Sequence, residues 1–502
     1  MDFTPESILK IITDTTLTHQ QAMMNLADLA VSHPQAFEVP QEYVEWEKVG
    51  VLCDMGEPRL PYAPRYLLPD YEKLMTNGCE FLRLPRPLKL ADAIQTLQIF
   101  YLHVPSVTHL PVYLGNIDTL LEPFVLGMHE TEARVQIRRF LDFISRTLPN
   151  SFSHANIGPV ETVAGLMIVE IEAERQDAVP GLTLLYDREL TSRSFAEACV
   201  RCALSCAKPS FAHHGACRLE NARPYGIASC YNALNIGGGA FTLSRIVLKR
   251  AADAANGIDD FFNRVMPQAT QALCRFMDEK IEFLVERSHF FTSSFLVKEG
   301  FLSKDAFTGM FGVVGLHEAV NVLMKKEGKQ ARFGKDEEAN ALGHKIMQRL
   351  EQLVHTHQNP HCGASGGHFV LHAQVGIDSD IGISPGARIA IGEELPLYQH
   401  LRHAGEFHHY FPSGTGDIFP FDETYERNPS AILDIIDGGF ASGMRYFSTY
   451  GKDSDVIRIT GYLVKKSDME ALARGETVLQ NNVIWGLGEA RHGRILERKV
   501  RQ

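Results

Sequence analysis

Two stretches of this chain carry residues whose type and spacing could do chemistry. Near the C-terminus, Val456-Ile-Arg-Ile-Thr-Gly-Tyr-Leu-Val464 alternates like a strand. Period two puts Ile457, Ile459, Gly461 and Leu463 on one face, so Gly461 is expected among apolar residues with its α-carbon turned into the protein. Packing alone would account for such a glycine by a bulge or a close backbone approach. A glycine α-carbon can also lose a hydrogen atom, leaving an electron shared by the flanking amide nitrogen and carbonyl, and without a Cβ the backbone can flatten to permit that sharing. The second stretch, Gly226-Ile-Ala-Ser-Cys230-Tyr-Asn-Ala-Leu-Asn-Ile-Gly-Gly-Gly239, sets Cys230 on a short extended piece ahead of a glycine-rich turn. A lone cysteine is ordinarily a small core residue. However, a thiol S–H bond is close in strength to the activated glycine C–H bond, so a hydrogen atom could pass between Cys230 and Gly461 in a nearly balanced step. The resulting thiyl would attack substrate C–H bonds, and such chemistry requires exclusion of solvent and oxygen.

Weaker candidates lie elsewhere. Cys199, Cys202 and Cys206 share one helix face; three thiolates could hold a metal or an iron-sulfur cluster, although cluster ligands usually lie on loops and core packing explains the spacing as well. Cys206 is also close enough in sequence to the Cys230 stretch to serve as a second redox thiol. His213, His214, His361 and His368 are acid/base candidates among 21 histidines. Glu318 is either a general base or part of a solvated helix face. The triple glycine before a helix expected over 242–255 could cradle a phosphate, but it fits neither common phosphate-loop pattern. The basic stretch from Arg491 to Arg501 is expected to pair with acidic surface.

The elements that must position these residues alternate. Short apolar runs at 182–186, 225–231, 310–314, 368–372 and 387–391 predict strands, and longer amphipathic stretches at 194–205, 242–255, 270–290, 316–326, 337–356 and 431–447 predict helices, the pattern of an α/β fold. Thr4 and Pro5 predict a helix start at the N-terminus. Val135, Phe140, Leu141, Ile144 and Leu148 predict an amphipathic helix on the outside of something larger. No repeat or low-complexity linker separates residues 60 and 440. The chain therefore divides into an N-terminal helical extension (1–60), one large α/β unit (61–440) and a C-terminal glycine segment (441–502).

A chain of 502 residues with 45% hydrophobic and 22% charged residues has ample material for a large core. Its net charge of −12 argues against nucleic-acid binding as the main task. No apolar run reaches a membrane span, and the first residues lack a secretory pattern, so a cytoplasmic location without membrane association is expected. Nine cysteines in a chain of this length are expected to be reduced thiols.

Taken together, the two stretches resemble the signature of the glycyl radical enzymes. Arg458-Ile-Thr-Gly-Tyr462 is similar to their R-V-x-G-Y motif, and the Cys230 stretch running on through Phe241 to Lys249, then Asn256 and Gly257, is similar to their cysteine loop and the helix after it. Further segments resemble the YjjI family of these enzymes: Val51-Leu-Cys-Asp-Met55, Val104-Pro-Ser-Val-Thr108, Pro111-Val-Tyr-Leu-Gly115, His154-Ala-Asn-Ile-Gly-Pro159, Ser288-His-Phe-Phe291 and Ile381-Gly-Ile-Ser-Pro-Gly-Ala-Arg388. The resemblance implies a ten-stranded α/β barrel of two half-barrels, surrounded by helices, with the cysteine and glycine loops meeting inside. It implies an oxygen-sensitive enzyme in which Gly461 stores the radical and a Cys230 thiyl takes hydrogen from a small polar substrate. Arg458 and Tyr462 of the motif, with Cys206, Asn232 and Glu318, are the accessory candidates. No permanently bound cofactor is implied; the radical would be installed by a separate S-adenosylmethionine-dependent activating enzyme of the radical-SAM type, and a homodimer is the assembly considered.

Departures from the superfamily leave the reaction open. Ser229 precedes Cys230 where pyruvate-cleaving members carry two adjacent cysteines. Asn232 stands where diol dehydratases carry a glutamate base, and an amide takes no proton at neutral pH. Gly461-Tyr-Leu463 and Gly312-Val-Val-Gly-Leu-His-Glu-Ala319 resemble anaerobic ribonucleotide reductases, but the paired C-x-x-C zinc hooks and a nucleotide-binding regulatory domain are missing. A lyase or dehydratase and a reductase-like oxidoreductase both remain open. The competing reading is a non-catalytic or metal-binding barrel in which Gly461 and Cys230 only pack.

Overall fold

The computed structural model describes residues 4–32, 37–55, 57, 61–106, 110–148, 152–221, 223–229, 231–374, 380–459, 461–479 and 500. In chain order the strands among them are β1 (Leu52–Cys53), β2 (Tyr66–Leu68), β3 (Tyr113–Asn116), β4 (His154–Ile157), β5 (Gly181–Tyr186), β6 (Ser210–His213), β7 (Tyr225–Ala228), β8 (Asn232–Asn235), β9 (Gly238–Val247), β10 (Phe307–Val314), β11 (Val370–Ala373), β12 (Asp417–Phe421), β13 (Tyr446–Gly451), β14 (Val456–Ile459) and β15 (Tyr462–Lys465). They form two sheets and two separate hairpins.

In the first sheet, β9, β10 and β11 run parallel. β1 and β2 lie antiparallel to β9, against its two ends: Leu52 faces Ile246, and Tyr66 faces Ala240. Because β10 occupies the other edge of β9, β1 and β2 share one strand position. The second sheet runs β12-β13-β6-β5-β4-β3, with β3 to β6 parallel and β13 antiparallel to β6. Four positions in one sheet and six in the other make ten, and β2 lies against β3 where the sheets adjoin. This is the mixed α/β arrangement of two half-barrels expected from the sequence.

Parallel neighbours need crossovers, and helices such as Val163–Arg175 and Arg193–Cys206 provide them. Every residue of β5, β9 and β10 is buried, so both faces of these strands are covered. Part of the cover comes from the hairpins: β7 lies against β3 and β4, β8 against β9, and β14 against β13. At the N-terminus, Thr4 caps Pro5–Ile12 by accepting from Ser7 N at 3.2 Å, and helices His19–Ser32 and Gln41–Lys48 come next.

Helices Leu316–Lys326 and Glu337–Thr356 have the expected limits. Several expectations need correction. The helix expected over 242–255 is strand as far as Val247 and helix only over Leu248–Ala254; Leu243, Ile246, Val247, Ala251 and Ala254 fall at helical spacing, and a strand covered on both faces shows no alternation to contradict it. The Gly237–Gly239 turn therefore leads into a strand, and the phosphate cradle has no helix N-terminus. No strand forms over 387–391. The helix begun at Pro429 ends at Ala441 rather than reaching Phe447, where Gly443 (φ +101°) turns the chain into β13. The helix expected over 270–290 starts earlier and loosens into a π turn over Phe283–Arg287. Helix Glu130–Thr147 buries Ala133, Ile137, Phe140, Leu141 and Ile144, leaving Val135 exposed.

Candidate functional site

Each hairpin ends in a short connection whose described residues are buried. In the C-terminal one, Ile459 pairs with Tyr462, so two residues connect the strands, of which Gly461 is described, and such short connections commonly require glycine. Thr460 lies outside the described residues. Gly461 is buried, but it sits in the turn rather than on a strand face. The two-residue turn changes the phase of the alternation: Ile457 and Ile459 share a face with Val464 and Tyr462, while Leu463 falls on the Arg458 face. The expectation that Leu463 would align with the isoleucines is thus corrected.

The hairpin is held from both sides. Tyr462 packs edge-on against Phe152 with ring centroids 5.3 Å apart. Arg458 is buried and its guanidinium donates to Ala207 O at 3.3 Å. Ala207 is left-handed (φ +57°) and caps helix Arg193–Cys206, so the carbonyls released at that helix end serve the glycine hairpin. Cys206, just before it, is buried, with its Sγ 3.6 Å from Cys202 Sγ. Burial, then the Cys206 contact, raises the Cys202 thiol far above its ordinary value. Among the described residues no group of histidine, cysteine and carboxylate side chains is arranged to hold a metal ion.

The other hairpin pairs Ala228 with Asn232, leaving Ser229, Cys230 and Tyr231 as its connection. Cys230 lies outside the described residues; its neighbours define where it belongs. Ser229 is buried at φ +63°, a strained setting for a residue with a Cβ. Asn156 on β4 grips the hairpin with both ends of its amide, donating to Ile227 O at 2.9 Å and accepting from Ile227 N at 2.7 Å. Gly226 lets β7 approach Tyr113, whose ring would stand 2.6 Å from an added Cβ. Ala233 N donates to Ser413 Oγ at 2.9 Å. Asn232 donates to Ala228 O at 2.9 Å, across the mouth of the turn, and its buried Oδ1 has no hydrogen-bond partner among the described residues.

Tyr231 connects this tip to the sheets. Its hydroxyl donates to Ala373 O at 2.7 Å and accepts from the Arg388 guanidinium at 3.3 Å, and its ring lies 5.4 Å from His372 and 5.6 Å from Tyr446. A buried polar line continues from there: Tyr446 OH to Thr183 Oγ1 at 3.0 Å, and Thr183 Oγ1 to His154 Nε2 at 2.7 Å. Burial, then the charges of Arg458 and Lys208, press the His154 imidazole down to about 3, so it is neutral at physiological pH. The Tyr231 ring meets this line at Tyr446, and the charge of Arg458 acts on its other end at His154. The Tyr446–Thr183–His154 line itself crosses β13, β5 and β4.

Glu318 accepts from Ser384 N at 3.0 Å and Ser384 Oγ at 2.6 Å, and burial raises its carboxyl above the usual range. It holds Ser384, in the segment leading to Arg388. A second buried carboxylate, Glu57, takes Arg65 at 2.9 Å, Lys280, Thr242 and Leu243 N. Burial alone would push Glu57 up, but Lys280 and Arg65 together bring it below its ordinary value. Of the histidine candidates, His213 caps the helix His214–Glu220, His214 bonds Tyr225 OH, and His368 bonds Gln358, all of which are structural roles. Tyr231, Tyr446, Thr183 and the amide clamp were not singled out from sequence, although His154, Asn156 and Arg388 all lie in segments that carry the family resemblance.

Residues 17–501 match the family model described as glycyl radical enzyme YjjI-like. An uncharacterised protein of Haemophilus influenzae is 41% identical over 99% of this chain and 97% of its own length, and uncharacterised protein YjjI of Escherichia coli is 41% identical over 98% and 95%. Among solved structures, hydroxyproline dehydratase from Clostridioides difficile is similar with a TM-score of 0.68 at 12% identity, covering 96% of this chain and 88% of its own. The anaerobic ribonucleotide reductase from Thermotoga maritima gives 0.64 at 12%, covering 94% and 90%.

Proposed function

The chain belongs to the YjjI-like family of glycyl radical enzymes, and on that premise we propose that Gly461 stores the radical and that Cys230 carries it to substrate. The observation that supports this reading most is the burial of Gly461 in one hairpin connection and of strained Ser229 and of Tyr231, the chain neighbours of Cys230, in the other. The exchange balances without a further reactant. The Cys230 S–H bond breaks as the Gly461 Cα–H bond forms, leaving a thiyl; that thiyl then takes hydrogen from a substrate C–H bond and becomes a thiol again.

Asn156 and the Gly226 approach would fix the cysteine tip, since a misplacement of an ångström is costly to such a transfer. Asn232 cannot act as a base, but its Oδ1 can accept a hydrogen bond from a substrate. Arg458 and Tyr462 position the glycine turn. Removal of the first hydrogen from Gly461 is assigned to a separate radical-SAM activating enzyme, and the substrate to a small polar molecule.

A substrate-free experiment tests the transfer. A thiol proton exchanges with solvent, so in D2O reversible transfer replaces the remaining Gly461 α-hydrogen with deuterium and removes its splitting from the electron paramagnetic resonance spectrum. Activated wild type is expected to lose the splitting, and Cys230→Ser to keep the radical and the splitting. Equal exchange in both would overturn the role given to Cys230.

A further inference from the structure

Most deeply buried cations near these hairpins have a carboxylate: Arg245 has Asp380 at 2.7 Å, Arg65 has Glu57 at 2.9 Å, and Lys208 has Glu172 at 2.6 Å. Arg388 departs from that pattern. It is 8% exposed, yet no carboxylate among the described residues lies within ion-pairing distance of it. Asp417, whose charge Arg388 feels, is already engaged by His408 at 3.2 Å, His400 at 3.5 Å and Thr415.

The guanidinium is held without being neutralised. Its Nε donates to Thr415 O at 2.6 Å, one terminal nitrogen donates to Tyr231 OH at 3.3 Å, and the group lies 5.6 Å from the Tyr231 ring centroid. Gly416 (φ +63°) makes this approach possible, because an added Cβ would run into the Tyr231 ring and stand 2.8 Å from the guanidinium. A guanidinium carries five N–H donors. One on Nε and one on Nη2 are used, so three of the five, both on Nη1 and one on Nη2, have no partner among the described residues, and Nη1 and Nη2 together form an end-on fork. That fork has the spacing to take both oxygens of a carboxylate. A buried cation fixed by neutral groups is electrostatically incomplete until an anion reaches it.

We propose that Arg388 is a specificity-determining residue, which anchors a carboxylate on the small substrate that meets the Cys230 tip. The contact to Tyr231 ties the anion site to the cysteine hairpin, because the hydroxyl that Arg388 reaches belongs to the residue that follows Cys230 in the chain. One uncompensated positive charge matches a carboxylate, whereas a phosphate dianion would need a second cation. The assignment rests on the radical reading for the word substrate, but anion binding itself needs no radical.

The test uses full-length protein that has met no activase, with calorimetric titration and thermal unfolding at constant ionic strength. Acetate is the probe, isosteric acetamide the neutral control, and inorganic phosphate the dianion control. Acetate is expected to bind and raise the unfolding midpoint, acetamide to do neither, and phosphate to bind more weakly than acetate. Arg388→Gln is expected to weaken acetate by about tenfold or more, with Arg388→Lys intermediate because charge survives without the fork. Circular dichroism checks that each variant folds; if Arg388→Gln does not, Arg388→Lys and the acetate-to-acetamide ratio of wild type carry the decision. Equal binding of acetate and acetamide, stronger binding of phosphate, no binding of acetate by wild type, or unchanged acetate affinity in the folded variants would each overturn the proposal. None of these results depends on Gly461, so failure here and failure of the glycine–cysteine exchange are told apart.

Discussion

Neutral buried histidines connect site chemistry to stability one residue at a time. His154 and His372 are both enclosed, and burial, reinforced by Arg458 and Lys208 at the first and by Arg65 at the second, brings each imidazole to about 3. In the unfolded chain each titrates near 6.5. Between those values the unfolded state binds more protons, so their effect is harmless above about pH 6.5 and destabilises progressively as pH falls toward 3. Each should contribute a slope of about 1 kcal/mol per pH unit in that window. Urea denaturation from pH 7 to pH 4 should show the wild type losing stability faster than His154→Gln, and parallel curves would contradict this account of His154. At this scale Gly461 and Cys230 were singled out by the resemblance of their segments to the family motifs, since residue type alone fits packing as well. Tyr231, Thr183 and Tyr446 were not, since a tyrosine or threonine in an apolar run carries no mark of the hydrogen bond it will make across the fold.

Each hairpin is useful as an element only because something external fixes its tip. For the cysteine hairpin that is chiefly Asn156, which satisfies both backbone groups of Ile227 from β4. Asn156→Ala leaves a buried N–H and C=O without partners and should cost about 2 kcal/mol or more of stability. It should also slow deuterium exchange at Gly461 by displacing the Cys230 tip, which isotope-resolved spectra of the activated protein would measure. Unchanged stability and exchange would remove the clamp from the account. Strand alternation in the sequence located β14 and β15, but a two-residue turn shifts their phase, and only the pairing of Ile459 with Tyr462 shows this. A related difficulty hid β9: ten buried residues in a row show no alternation to contradict the helical spacing of Leu243, Ile246 and Val247.

Across the whole molecule, the hairpins pack against the two sheets, and under the proposed function this enclosure would let a reactive carbon persist. Oxygen that does reach the radical would add at the α-carbon and break the backbone there. Activated wild type exposed to air should therefore release a fragment beginning near Tyr462 and ending at Gln502, detected by mass spectrometry, while unactivated protein stays intact. Cutting elsewhere, or equally in both, would speak against Gly461. The α/β class and most helices were legible because amphipathic helices and strand runs alternate along the chain. The closure of β1 and β2 onto a single edge of β9 was not, because it depends on pairings between distant residues such as Leu52 and Ile246.

The claim on which the rest depends is that the unpaired electron resides on Gly461. Anaerobic activation with the cognate activating enzyme and S-adenosylmethionine, followed by electron paramagnetic resonance, should give a doublet in H2O from the one remaining α-hydrogen, and no signal in Gly461→Ala. The same doublet in Gly461→Ala would contradict the account.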